Sequence, residues 1–190
     1  MKLMPGDQIS YKVFYLEMNK PPNFGWPQKP PGDIFVLNSI KPSTRYFFDL
    51  YAAVGSEYEW TDKYEVPIKE LDDFLSHPFV RMFTFVKDGW TAGFFILDNR
   101  MEGICDLAYF GLVPEVIGCG YGGYLLKFAV KESWGAKDIQ LLTVNTNSLD
   151  HPSALPLYKK VGFRLKNIEH EKRTLTRSRN IDNNKIIGIG

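Results

Sequence analysis

The spacing of apolar and polar positions changes along the chain, and each change predicts an element boundary. Residues 9–18 alternate roughly one for one, which predicts a strand. Pro21-Pro22-Asn23-Phe24-Gly25-Trp26-Pro27, with Pro30 and Pro31 behind it, predicts a stiff loop, because proline has no N–H to give a ladder. A short strand over Ile34–Leu37 follows. Ser43 or Thr44 supplies a cap for a helix that runs to Val54 and stops at Gly55. Ile68, Leu71, Phe74 and Leu75 share one face of a second helix, which Pro78 ends. From Arg81 the period becomes two. Arg81–Val86, Thr91–Leu97 and Ile104–Val113 read as consecutive strands, with turns at Asp88-Gly89 and Asn99–Gly103. A helix from about Gly120 to Trp134, a strand over Ile139–Asn145 and a short helix at about Ser153–Lys160 complete the pattern, and Gly162-Phe163-Arg164-Leu165 opens one more strand. The order β-β-β-α-β-α-β predicts one α/β domain with a mixed sheet of about six or seven strands, antiparallel in the middle and with a parallel crossover afterwards.

Composition narrows this picture without redirecting it. A chain of 190 residues buries about 70% of its unfolded surface, enough for a single core spanning 1–190. Lys and Arg number 23 against 22 Asp and Glu, a net charge of +1, so no whole-molecule field favours nucleic acid or anionic lipid. The two cysteines, Cys105 and Cys119, and the histidines His77, His151 and His170 show no metal-ligand spacing, so neither a disulfide framework nor a metal is expected. The opening residues lack an apolar leader, and the expectation is a cytoplasmic protein. Aromatics make up 15% of the chain, which fits a thick core or an aromatic-lined pocket equally well. Trp26, Phe47, Phe48, Tyr51, Trp60 and Trp90 are pocket candidates, with core packing the expected fate of most. The basic tail holding Lys172, Arg173, Arg177 and Arg179 reads as a solvated edge.

Chemistry concentrates in Phe110-Gly111-Leu112-Val113-Pro114-Glu115-Val116-Ile117-Gly118-Cys119-Gly120-Tyr121-Gly122-Gly123-Tyr124. A strand runs into four glycines within six residues, and these lead directly into a helix. Glycines there let backbone N–H groups approach a ligand, and the helix start adds about half a positive charge. The combination suits a phosphate; a tight β-α connection that only packs closely is the other reading. Gly118, Gly120 and Gly123 match the dinucleotide fingerprint, but the stretch Leu141–Asn145 has no carboxylate to hold a ribose. A phosphate-binding P-loop needs Gly-Lys-Ser/Thr, and Gly122 is followed by Gly123 and Tyr124.

The segment resembles motif A of the GNAT N-acetyltransferase superfamily, Gln/Arg-x-x-Gly-x-Gly/Ala, here Ile117-Gly118-Cys119-Gly120-Tyr121-Gly122 after Pro114-Glu115. Isoleucine stands at the first position. Leu149-Asp150-His151-Pro152-Ser153-Ala154-Leu155-Pro156-Leu157-Tyr158-Lys159-Lys160-Val161-Gly162-Phe163 is similar to the family's Asn-x-x-Ala-x-x-Leu-Tyr-x-x-x-Gly-Phe ending, with His151 where asparagine is usual. The two motifs lie within a core of about residues 81–165. The resemblance implies a single-domain GNAT-like fold: a mostly antiparallel mixed sheet, splayed between its fourth and fifth core strands and flanked by helices. It implies transfer of an acetyl group from acetyl-CoA to the amine of a small molecule or peptide. No nucleic acid or membrane partner is expected, and a homodimer is compatible with it. The cofactor positions it implies are Leu112, Val113, Gly118, Cys119, Gly120, Tyr121, Gly122, Gly123, Asn145 and His151.

Two residues are expected to carry the chemistry. Asp106 is a lone carboxylate in an apolar strand, and simple alternation puts it on one face with Ala108, Phe110 and Leu112. Burial would raise its pKa toward that of a useful base; the resemblance places it where several GNAT enzymes carry a glutamate base, and a solvent-facing position at the strand's start is the competing reading. Tyr158 falls where the family uses a tyrosine as acid toward the departing thiolate. A backbone N–H near Leu112, freed by the splay, would meet the oxyanion. Cys119 at a helix start could be called a nucleophile, but no histidine accompanies it. A non-catalytic acyl-CoA-binding module is the alternative from another class, and a nucleotide-dependent oxidoreductase is disfavoured by the missing ribose carboxylate.

Overall fold

The computed structural model describes residues 2–180; Met1 and the last ten residues of the expected 1–190 domain lie outside them. In chain order the elements are β1 (Lys2–Leu3), β2 (Gln8–Met18), β3 (Ile34–Ser39), α1 (Thr44–Gly55), α2 (Ile68–Leu75), β4 (Val80–Lys87), β5 (Trp90–Asp98), β6 (Ile104–Leu112), α3 (Tyr121–Trp134), β7 (Leu141–Asn147), α4 (Ala154–Val161), β8 (Arg164–Thr174) and β9 (Arg179–Asn180). Seven strands form one mixed α/β sheet in the order β3-β4-β5-β6-β7-β2-β8. Every neighbouring pair in it is antiparallel except β6 with β7.

Local signals explain most of these elements. The Ser43 side chain accepts the Tyr46 N–H at 3.2 Å and starts α1, satisfying one of the orphan donors of a helix's first turn. The strands β4 and β5 are buried nearly end to end because helices cover both faces of the sheet. On one face Phe83 stacks on Phe95 at 4.7 Å, with Phe128 of α3 against them. On the other, Phe47 of α1 meets Phe94 and Tyr109 edge-on. Phe47, Phe85, Phe94 and Phe95 are fully buried, each contributing about 1.5–3 kcal/mol relative to an exposed ring.

The splay between the fourth and fifth strands is present and abrupt. Strands β6 and β7 share three pairs only, Ile104↔Leu141, Cys105↔Leu142 and Asp106↔Thr143. Beyond Asp106 the two diverge, leaving the rest of β6 and β7 unpaired along their facing edges.

Two features go beyond the sequence expectation and one departs from it. The first long strand, β2, lies between β7 and β8, antiparallel to both. The strand opened at Arg164 runs for eleven residues as the exposed edge β8. The basic stretch expected to be a solvated edge is partly tied down: within β8 Arg173 pairs with Asp62 and donates to the Glu59 carbonyl, and beyond it Arg179 donates to the Leu149 carbonyl, while Lys172 and Arg177 are exposed.

Candidate active site

Where β6 and β7 part, a cleft of about 780 Å³ opens. That is within the size range of small-molecule sites. Successive side chains on a strand point to opposite faces, and the cleft borders both Tyr109 and Phe110 of β6. Tyr109 meets Tyr51 and Trp60 on the α1 side, whereas Phe110 meets Tyr158 of α4 at 6.0 Å. The cleft therefore passes through the sheet, with a wall on each face.

The α3 side carries the glycine turn. Gly118 and Gly120 both have φ +85°, a conformation that costs an L-residue about 1–2 kcal/mol. A Cβ on Gly118, Gly120 or Gly123 would meet nothing within 4 Å, so packing does not explain these glycines. Gly118, Gly120, Gly122 and Gly123 all border the cleft. In contrast to α1, helix α3 has no side-chain cap, its N-cap being Gly120. Its first-turn amides thus remain free donors at the positive end of the helix dipole. An anion fits this cradle.

Leu112, Asn145 and His151 also border the cleft. The Val113 N–H donates to the Ala92 carbonyl at 3.0 Å. Successive amides along an extended strand point to opposite edges, which turns the Leu112 N–H toward the open side. His151 accepts the Ser153 N–H on Nδ1 at 3.2 Å and sits edge-on to Tyr58. Three of the expected cofactor positions do not border the cleft. Val113 is buried and bonded across to β5. The side chain of Cys119 is exposed and its N–H donates to the Val116 carbonyl at 3.4 Å, and Tyr121 leans on Phe85 at 5.5 Å, which leaves Tyr121 only its backbone to serve a ligand.

Tyr158 borders the cleft from α4 although only 5% of it is exposed. Burial, helped by the charges of Asp150 and Asp106, pushes its phenol well above the ordinary tyrosine range. It is a neutral hydroxyl at any physiological pH, and its oxygen makes no hydrogen bond with the described residues.

Asp106 is placed differently from expectation. Ile96 pairs with Tyr109 and Leu97 with Leu107, so Ala108 is an extra residue on β6, a bulge. One inserted residue inverts the alternation beyond it. Asp106 consequently shares its face with Tyr109 and Gly111, not with Ala108, Phe110 and Leu112, and it does not border the cleft. Its carboxylate accepts the Thr143 hydroxyl at 2.6 Å at the vertex of the splay. Burial raises its pKa above the usual carboxylate range, the Thr143 bond opposes this, and Asp98 adds to it.

Sequence reasoning undervalued the α1 side. Of its six aromatic candidates, Tyr51 and Trp60 border the cleft; Phe47 is core and Trp26 is 58% exposed against Phe128. Close packing on the α1 side is written into two glycines: a Cβ on Gly55 would lie 2.3 Å from the Trp60 indole, and one on Gly111 would lie 2.2 Å from Val54. Asp150 was passed over, and no local pattern reveals it, because its partner Trp60 is ninety residues away.

No family model matches this chain, and no curated protein matches it either. Solved structures do. A GCN5-related N-acetyltransferase from Kribbella flavida superposes with a TM-score of 0.59 at 17% identity, over 84% of this chain and 56% of its own. One from Sphaerobacter thermophilus gives 0.60 at 15% identity, over 90% and 53%. The chain has the GNAT fold. A GNAT family acetyltransferase from Elizabethkingia anophelis, whose structure holds acetyl-CoA, gives a TM-score of 0.52 at 18% identity over 70% of this chain and 78% of that one. The chain spans little more than half the length of the first two GNAT structures. Among the described residues no helix is long and apolar enough to cross a membrane, and no group of three potential metal ligands comes together.

Proposed function

We propose that the chain is an acyltransferase of the GNAT superfamily, moving an acetyl group from acetyl-CoA to the amine of a small molecule or peptide. One observation carries the reading: a single cleft joins an open, uncapped glycine cradle on one face of the sheet to the hydroxyl-bearing Tyr158 and a freed strand edge. The fold shared with an acetyl-CoA-bound structure supports it.

In this reading the amides of Gly118, Gly120, Gly122 and Gly123 hold the pyrophosphate, and the unpaired edges of β6 and β7, with Leu112 and Asn145, take the amide-bearing arm. The thioester supplies the activated acyl group. An alkyl amine with pKa near 10 must first lose a proton. Asp106 serves only through a relay, since its carboxylate is turned to Thr143. The free amine nitrogen then bonds to the thioester carbon while the Leu112 N–H faces the oxygen where charge develops. As the C–S bond breaks, its electron pair leaves on sulfur, Tyr158 donates its proton to that sulfur, and the N–H proton lost as the amide forms restores the phenol. Because the phenol is held above its ordinary pKa, donation follows the charge on sulfur rather than preceding it.

The test is a binding and turnover pair. Calorimetry should detect coenzyme A and acetyl-CoA but not NAD. With an acceptor found on an amine panel, Tyr158→Phe should lower kcat by about 10²–10⁴-fold, the range for losing a general acid, with coenzyme A affinity within a few-fold of wild type. Unchanged turnover would remove Tyr158 from the mechanism. Coenzyme A binding with no acylated amine on the panel would favour a non-catalytic acyl-CoA-binding module.

A further inference from the structure

Asp150 lies in the turn between β7 and α4 and borders the cleft. Its Oδ1 accepts the Trp60 indole N–H at 3.2 Å. Its Oδ2 accepts the Thr146 hydroxyl at 2.7 Å and the Asn147 amide at 2.9 Å. An ionised carboxylate offers about four acceptor positions, so Oδ1 retains capacity. All three donors are neutral. Among the described residues no lysine or arginine forms an ion pair with Asp150: Arg173 is paired with Asp62, and Arg179 donates to the neighbouring Leu149 carbonyl. Lys63 is the other charged side chain bordering the cleft, and it has no ion pair there either.

The surface beside Asp150 is aromatic. Trp60, its hydrogen-bond partner, lies 5.5 Å from Tyr51 and 6.1 Å from Tyr109 between ring centroids. Tyr58 borders the cleft next to His151; burial, then the charges of Glu57 and Asp150, raise its pKa, and Arg179 opposes them. A carboxylate with spare acceptor capacity and a set of aromatic faces favour the same thing, a cation. This wall is on the α1 side of the sheet, opposite the glycine cradle, so its ligand and a bound anion need not compete.

We propose that Asp150, with Trp60 and Tyr58, binds the protonated amino group of the acceptor, which makes the acceptor an alkylammonium compound rather than a neutral amide or an anion. The inference rests on the acyl-transfer reading for the fate of that amine, but the binding needs no thioester. Asp150 is a specificity residue here; the proton passes from the bound ammonium to water, and by the relay to Asp106, before the nitrogen reacts.

Calorimetry on the protein with n-butylammonium, butyramide and butyrate, each without acetyl-CoA, tests it. Butylammonium should bind at least tenfold more tightly than the other two. Asp150→Asn keeps one acceptor oxygen, for the Thr146 hydroxyl and the Asn147 amide, but gives up the Trp60 bond and removes the charge; it should weaken butylammonium about 10- to 100-fold, as expected for a hydrogen bond to a charged group, and leave coenzyme A within a few-fold. Butyramide binding as well as butylammonium on the wild-type protein would overturn the proposal, and that comparison holds even if the variant fails to fold. Equal butylammonium affinity in wild type and a folded Asp150→Asn would overturn it too. Selective amine binding without any acyl transfer would support the cation site and defeat the acyltransferase reading.

Discussion

The two sides of β6 use the same residue type for opposite ends. Toward β5 the strands are so close that a Cβ on Gly93 would lie 2.5 Å from the Gly111 carbonyl oxygen. Past the open end of β6, in the turn that follows it and the first turn of α3, Gly118, Gly120 and Gly123 face empty space. On the closed side glycine permits packing; on the open side packing makes no demand, and the missing side chains keep amides accessible. A glycine's role is therefore legible from what its Cβ would strike, not from its presence in a motif.

The closed side should break most severely. Gly93→Val forces the β5–β6 backbones apart and should cost about 3 kcal/mol, at the upper end for overpacking, read as a fall in the denaturation midpoint. A midpoint within error of wild type would show that the strands can separate without loss. On the open side the expected effect has the other sign for stability. Gly123→Ala replaces a poor helix former inside α3 and should stabilise the fold by up to about 1 kcal/mol, while its methyl enters the cradle and weakens coenzyme A binding. Unaltered coenzyme A affinity would mean that the ligand does not approach this turn.

The vertex between the two sides gives the smallest effect, one that depends on pH. Asp106 has a folded pKa above its unfolded value. Between those two values the folded state holds the extra proton, so stability falls as pH rises through that window. Asp106→Asn keeps an acceptor for the Thr143 hydroxyl and does not titrate. Melting temperatures across pH 4–7 should converge at the acid end, with the wild type falling below the variant as pH rises. Parallel curves would place Asp106 in a more solvated setting than the vertex.

Much of the core was legible because its signals are local. Four glycines before an amphipathic helix, Ser43 ahead of α1, and period-two apolar runs at β4, β5 and β6 all act within a few residues. Tyr158 was legible because the residues around it resemble a known motif. Asp106 shows where this ends: its face was misread because a bulge at Ala108 leaves no mark on the alternation of a short strand.

The sequence alone determined the element types, the glycine turn and its free amides, since these follow from backbone preferences and nearest-neighbour spacing. Tertiary structure decided that β2 enters between β7 and β8, that β6 and β7 part after three pairs, and that Trp60 reaches Asp150. Those outcomes depend on which distant segments bury one another. Pairing and register minimise the free energy of the whole sheet, and residues as far apart as Tyr15 and Asn145 meet only when that sheet closes.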